Sequence, residues 1–231
     1  EHEDELHINK LHILNRLIWT RPVYEQESML YEQEFPSLSA VLQMMEGIVK
    51  RLINMAKEFP AFSALQKDDQ VYLIKNCYLD VLILRSAMTY DSQENAWKGP
   101  SYSHKVMMRV SNDTMNRHLL MQFLRLYMMF KDESRSDDTI MLLLNMIVLF
   151  DLNVPCLSNR RSVCDEHNKY KHCLKRYLYT KLGENSGKAQ SEYKALLDRL
   201  ADIREIKKDA HEVLMTHWEV MDPLMKELVC V

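Results

Sequence analysis

Glycine and proline are scarce in this chain, four and six among 231 residues. An all-β fold needs many tight turns, so this shortage excludes one and favours helices. A basic excess is also missing: the formal net charge is −3, which offers no footprint for a nucleic-acid backbone. The five cysteines are odd in number and form no C-x-x-C pair, the usage of reduced thiols in an intracellular protein rather than of a disulfide framework. No apolar run reaches bilayer length. The longest, Ile140 to Leu152, is broken by Asn145 and Asp151, so no membrane partner is expected. The amino terminus is acidic, lacks a signal-peptide pattern and lacks an initiator Met, which reads as an excised domain. Enzyme signatures are absent: no G-x-S-x-G, P-loop, dinucleotide fingerprint or H-E-x-x-H. Cys164, His167, His172 and Cys173 cluster in sequence, but at no standard zinc spacing, and a polar surface helix explains them better. No catalytic residue, metal or cofactor is therefore assigned.

What the chain does contain is apolar material with helical rhythm. Apolar residues make up 47% of it, enough for a large core, and 231 residues suit a single domain over 1–231. Sixteen methionines supply side chains that fill irregular or adaptable cavities. Leu6, Ile13, Leu14, Leu17 and Ile18 predict a first helix ending near Thr20, followed by a polar linker to Glu34. Pro36-Ser37 opens a long helix with Val41, Met44, Met45, Ile48, Leu52, Met55 and Phe59 at helical spacing, closed by Pro60. The next starts at Asp68-Asp69. Its stretch from Val71 to Met88 is apolar almost all round, which predicts a central element covered on several sides. Asp91 to Pro100 reads as a loop and Val106 to Val110 as a short strand. Further helices are expected over Asp113–Phe130, Asp137–Phe150, Val163–Leu182 and Lys188–Met215, a layered bundle of about nine to eleven in all.

A last helix is expected at about 222–230. Asp222 suits an N-cap, Pro223 needs no donor at the first helical position, and Leu224, Met225, Leu228 and Val229 share one side, with Lys226 and Glu227 on the other. A helix of only about eight residues is marginal by itself because nucleation is costly. It forms by laying its apolar stripe on a larger body, so its position is conditional on what lies beneath it.

The segment Met55-Ala-Lys-Glu-Phe-Pro-Ala-Phe-Ser-Ala-Leu-Gln-Lys-Asp-Asp-Gln-Val-Tyr-Leu-Ile-Lys75 resembles the signature of nuclear receptor ligand-binding domains. Phe59, Phe62, Leu65, Asp69-Gln70, Leu73 and Lys75 carry the match, and Pro223-Leu-Met-Lys-Glu-Leu-Val229 resembles that family's activation helix. Val81-Leu-Ile-Leu-Arg-Ser86, Trp97, Arg109-Val-Ser111 with His118, and Leu200-Ala-Asp-Ile-Arg204 resemble the vitamin D receptor branch. Within it they resemble the nematode dauer-formation steroid receptors, which bind bile-acid-like dafachronic acids. The resemblance covers essentially the whole chain. It implies an all-α, antiparallel three-layer helical sandwich with a small β-turn element, a nuclear location and a ligand-regulated role in transcription. It also implies partners: a lipophilic hormone, an LXXLL coactivator peptide, a corepressor in the unliganded state, and DNA only through a separate zinc domain outside this chain. A retinoid X receptor-type heterodimer partner would dock on Tyr193, Leu196, Leu197, Leu200, Ile203 and Ile206, a stripe that must also serve the core.

The family's coactivator clamp falls on Lys57, Lys75 and Glu227, with Ile53, Val71, Ile74 and Leu224 as the floor for leucines of a partner helix. Glu227 would cap that helix at its N-terminus, and the two lysines would meet its C-terminal carbonyls. Chemistry alone reads all three as solvated surface charges. The ligand pocket that the resemblance implies is built from Val41, Met44, Met45 and Ile48 on the long helix; Leu82, Arg85, Ser86 and Thr89 on the central one; Trp97 and Met108; Met115, His118, Leu119 and Gln122; Ala210, His211 and Leu214; and Met225. A guanidinium at Arg85, inside so apolar a helix, must be paired. Asp80, Asp91 or helix-terminal carbonyls could do this as well as a ligand carboxylate. Spacing alone equally allows His118 and Gln122 to face water, and Trp97 to be a core plug. Two departures from the vitamin D receptor, Ile48 for a serine and Ala210 for a histidine, remove hydroxyl partners and suit a sterol acid. The rival reading is a pocket filled by its own methionines, a ligand-independent interaction module.

Overall fold

A computed structural model describes residues 2–100, 107–109, 116–183 and 187–230. Among these, eleven α-helices dominate. Helix α1 (His2–Trp19), the single turn α2 (Glu27–Leu30) and the long α3 (Leu38–Lys57) come first, then α4 (Pro60–Ser63) and α5 (Lys67–Thr89). A small sheet follows, β1 (Tyr90–Asp91), β2 (Ala96–Lys98) and β3 (Met107–Met108), in the order β1-β2-β3 with both pairings antiparallel. The rest is α6 (Arg117–Met129), α7 (Asp132–Arg135), α8 (Asp138–Leu149), α9 (Arg160–Leu182), α10 (Lys188–Met215), a 3-10 turn (Trp218–Val220) and α11 (Pro223–Val229).

The layers follow from which helices pack on which. Helices α1 and α3 form one outer layer, α5 and α8 the middle with α9, and α6 and α10 the other side. This is the three-layer helical sandwich expected from the sequence. Two helices of the middle layer form the core: α8 is buried without interruption from Thr139 to Leu149, and α5 carries fourteen buried residues. At about 1.5–3 kcal/mol for each fully buried large aliphatic side chain, these two helices hold the layers together.

Local chemistry sets the boundaries. Ser37 caps α3 by accepting from Ala40 N at 3.2 Å, Asp137 caps α8 through Ile140 N at 3.1 Å, and Asn159 caps α9. Gly187 precedes α10 with φ +59, a conformation that side chains rarely adopt. The signature residues explain themselves here. Asp69, fully buried, accepts the backbone N–H groups of Ser158 and Asn159 at 2.8 and 2.9 Å, pinning the start of α9 to α5. Gln70 closes the preceding turn through Leu65 O at 2.9 Å.

Several expectations need correction. The linker before Glu34 contains α2, because Glu27 is drawn into the interior by Arg51. The loop from Asp91 to Pro100 is a hairpin of β1 and β2, and the strand expected at Val106–Val110 is seen as Met107–Met108, its ends lying outside the described residues. Helix α6 starts at Arg117, where Asn116 accepts from His118 N and Leu119 N; the start expected at Asp113 lies outside the described residues. On α10, by contrast, part of the stripe serves the core as expected: Leu196, Leu200 and Ile203 are buried, and Tyr193, Leu197 and Ile206 are half-buried.

Candidate functional site: an apolar cavity with an under-bonded arginine

Between α3, α5, the small sheet, α6 and the end of α10 lies a cavity of about 360 Å³. Thirteen of the anticipated pocket residues line it: Val41, Met44, Met45, Ile48, Leu82, Arg85, Ser86, Thr89, Trp97, Met108, Leu119, Ala210 and Leu214. Four others do not. His118 is exposed, and Gln122 donates to Asp209 on α10 at 2.7 Å. Helical phase is the reason: Leu119, Phe123 and Tyr127, at i, i+4 and i+8, turn to the cavity and carry the 118/122 stripe toward solvent and α10. His211 is displaced in the same way, since Ala210, Val213, Leu214 and His217 are the cavity-facing set. Met225, on α11, is fully buried but is no part of the wall. Met115 lies outside the described residues.

Arg85 decides the chemistry. It lines the cavity and is 9% exposed. Its Nη1 donates to Asn15 Oδ1 at 2.8 Å, and the guanidinium carbon sits 3.7 Å from the centroid of the Trp19 ring. Its Nε and Nη2 are buried with no hydrogen-bond partner. The acids that could have paired it are engaged elsewhere: Asp80 with Lys207 at 2.8 Å, and Asp91 with Lys98 at 3.2 Å. Burial, partly offset by Asp138 and reinforced by the like charge of Arg51, pulls the Arg85 pKa down to about 9. The group is thus still a cation at neutral pH, in the wall of an apolar cavity and with two buried N–H donors unpaired.

Arg51 shows what an ion-paired neighbour looks like. It also lines the cavity, yet Glu27 receives its Nη1 and Nη2 at 2.7 and 2.6 Å, and Arg21 O accepts from Nη2 at 2.8 Å. The pair is almost wholly buried, with side chains 2% and 0% exposed. Gly47 makes room for it, since a Cβ there would lie 2.5 Å from Glu27 Oε1.

Other polar groups in the wall are spent on the protein itself. Ser86 Oγ shares a 2.5 Å hydrogen bond with Tyr127 Oη, and Thr89 Oγ1 donates to Ser86 O at 3.2 Å. Tyr127 joins Tyr90, Trp97 and Phe123 in an aromatic cluster, so the Trp97 ring is both cavity wall and packing partner. Sequence reasoning missed Trp19, Tyr31, Arg51, Phe123, Tyr127 and His217 as wall residues. Phe123 and Tyr127 carried a signal, the four-residue step from Leu119. Arg51 carried one too, three residues beyond Ile48 on α3, whereas Trp19 and Tyr31 come from elements whose approach no spacing reveals.

Outside the cavity, Asp222 caps α11 through Leu224 N and Met225 N at 2.8 and 3.1 Å, and the helix packs on α5 and α10. Lys75 Nζ donates to Cys230 O at 3.1 Å, so it already serves the end of α11. Lys57 and Glu227 are exposed on the surface, together with Val71. Ile53 and Leu224 are half-buried against the core, and Ile74 is buried. The Cys/His cluster on α9 does not converge: Cys173 is buried and donates to Asp4 at 3.0 Å, His167 meets Ile147 O at 3.2 Å, and His172 is exposed. Among the described residues no group of His, Cys, Asp or Glu is placed to hold a metal.

Comparison with known proteins agrees with this geometry. Residues 26–216 match the sequence profile of the family described as the ligand-binding domain of nuclear hormone receptor, a match that ends before α11. The chain is 27% identical to nuclear hormone receptor HR96 of Drosophila melanogaster over 84% of its own length and 27% of the relative's. It is 26% identical to nuclear hormone receptor family member nhr-8 of Caenorhabditis elegans over 83% of its length and 35% of the relative's. The ecdysone receptor of Chironomus tentans is 25% identical, with 87% of this chain and 39% of that protein covered. The chain thus spans between about a quarter and two-fifths of the length of these three relatives. With a three-layer helical sandwich, an apolar cavity between its helices and a profile match over most of its length, this chain belongs to the nuclear hormone receptor ligand-binding domain family.

Proposed function

We propose that this domain senses a lipophilic acid of the sterol class and relays its presence to transcription through a coactivator. The observation that carries the reading is Arg85: a buried cation on an apolar cavity wall, with Nε and Nη2 unpaired. An unpaired buried charge is costly, and a carboxylate is the ligand group that meets two parallel N–H donors at once. The remaining wall is hydrocarbon and aromatic, which suits a fused-ring or long aliphatic body, and about 360 Å³ lies within the usual size of ligand cavities. That open volume also weighs against a pocket filled by its own side chains.

Ligand bulk against α3, α5 and α10 adds packing surface near the elements on which α11 rests, and so favours the docked α11 over other positions. With α11 docked, Glu227 and Lys57 form the two charged ends of a site for an LXXLL helix, with Val71 and Leu224 between them. Lys75 supports that site by holding the C-terminal end of α11. The same reading includes a nuclear location, a corepressor in the unliganded state, a retinoid X receptor-type heterodimer partner and DNA contact through a separate zinc domain. The test is a thermal-shift comparison of sterol acids with their methyl esters. A ligand at 100 times its Kd stabilises by about 2.7 kcal/mol, so the acid raises Tm by several degrees while the ester does less. Equal shifts from acid and ester, or none from either, defeat the proposal.

A further inference from the structure

Helix α1 meets the cavity wall at Arg85. Trp19, the last residue of α1, lines the cavity, and its ring centroid lies 3.7 Å from the guanidinium carbon. The indole is itself fixed, since Trp19 Nε1 donates to Met55 Sδ on α3 at 3.4 Å. One turn earlier, Asn15 Oδ1 accepts from Arg85 Nη1 at 2.8 Å. The ring therefore covers one face of the planar group, and the amide takes one of its terminal nitrogens.

The chemistry of that amide matters. An asparagine side chain offers an acceptor but no charge. Other buried guanidinium groups of this domain meet carboxylates: Arg51, in the same wall, is paired with Glu27 at 2.6 Å, and Arg135 with Asp132 at 3.0 Å. Arg85 has no such partner among the described residues. Asp138 favours its charged form through the field alone, while Asp80 and Asp91 are held by Lys207 and Lys98. A positive charge is thus fixed in place on an apolar wall and left unneutralised there.

We propose that Asn15 sets the charge specificity of this cavity: it holds the Arg85 guanidinium without cancelling its charge, so that an anionic ligand is selected over a neutral one. Asn15 is a positioning residue, because it does not line the cavity and acts through Arg85. The inference rests on the carboxylate reading above and deepens it, placing the choice of ligand charge on α1 as well as on the wall. A carboxylate at position 15 would cancel the cation from within. An incoming acid would then bring a second anion to a single guanidinium, an arrangement that like-charge repulsion disfavours.

The test titrates the parent, Asn15→Asp and Asn15→Ala with cholanic acid and with its methyl ester. Asn15→Asp weakens the acid at least about tenfold, from the repulsion of neighbouring like charges, and holds the ester within about threefold. Asn15→Ala brings no charge and removes one hydrogen bond from the guanidinium, so the acid weakens by about two- to tenfold and the ester by less. A ligand-free measurement stands beside these. Asn15→Asp keeps the Tm of the parent, because the new carboxylate finds Arg85, but lowers it in an Arg85→Met background, where that carboxylate has no partner. An acid-to-ester ratio unchanged by Asn15→Asp overturns the inference, as does the same fall in Tm in both backgrounds. Equal weakening of acid and ester likewise shows that Asn15 is only a packing residue of α1. A parent that prefers the acid, with an Asn15→Asp that keeps this preference, sinks the role of Asn15 alone. A parent that does not distinguish acid from ester removes the carboxylate reading and this inference with it.

Discussion

Replacing Arg85 by Met gives two readouts of opposite sign. Folding first: the substitution removes one hydrogen bond to Asn15 and the stacking on Trp19. Those losses come to about 0.5–1.5 kcal/mol for the bond and about 0.5–2 kcal/mol for the ring contact. Asn15 is only half-buried, so water can replace its lost partner. Against this stands the relief of burying a cation with two unsatisfied nitrogens. Exchanging buried charge for apolar volume is often neutral or stabilising, by about 1–4 kcal/mol. The empty Arg85→Met protein is therefore as stable as the parent or more so. Binding second: a carboxylate facing Nε and Nη2 makes two charge-assisted bonds worth about 1.5–3 kcal/mol each. Losing both, and stranding the ligand's charge in hydrocarbon, weakens the acid by at least about 100-fold, at 1.4 kcal/mol per tenfold. The methyl ester changes by less than about threefold. Calorimetric unfolding and isothermal titration with acid and ester measure both sides. A Tm lowered by several degrees, with acid and ester weakened equally, would show that Arg85 is a structural cation held by Trp19 and Asn15, and the reasoning would be wrong.

Three further outcomes follow from the same geometry. Acid affinity is full below pH about 9 and falls as pH rises through that value, because the depressed Arg85 gives up its proton there in the empty cavity; titrations between about pH 7 and 10 should show the decline for the acid and a flat line for the ester. Gly47→Ala drives a Cβ to within 2.5 Å of Glu27 Oε1 and 3.1 Å of Arg51 Nη1. Splitting a buried pair costs about 3–5 kcal/mol, set against about 1 kcal/mol of helix propensity gained, so urea unfolding should show a net loss of about 2–4 kcal/mol; unchanged stability would mean that the pair moves aside freely. Glu227→Ala removes the cap for a partner helix and leaves the cavity untouched, so an LXXLL peptide followed by fluorescence polarisation should bind at least about tenfold more weakly while ligand affinity holds within twofold.

Much of the architecture could be read in the chain because it rests on local rules. Lys188–Met215 is a helix end to end, Asp222-Pro223 opens the last one, and Ser37 caps the long one. In each case period, cap and proline agree. Of the small sheet only β3 was legible; β1, β2 and α2 were not, since strands of two or three residues have no period and α2 exists because Arg51 pulls Glu27 inside. The cavity was legible where a residue's helical phase is set by its own helix, as with Met44, Met45 and Ile48. It was misread at His118, Gln122 and His211, where one step of about 100° around the axis separates wall from surface.

The sequence by itself determined the helices, their caps, the apolar middle layer and the family signature, because each depends on neighbours within a few residues. It could mark Arg85 as a cation in an apolar helix. Only the tertiary structure decided what that cation meets: Lys207 and Lys98 take the candidate acids, Asn15 and Trp19 arrive from α1, and two donors are left buried without partners. Pairing is settled by which distant groups come within about 3 Å, and distances between elements are set by how the layers stack, not by any spacing along the chain.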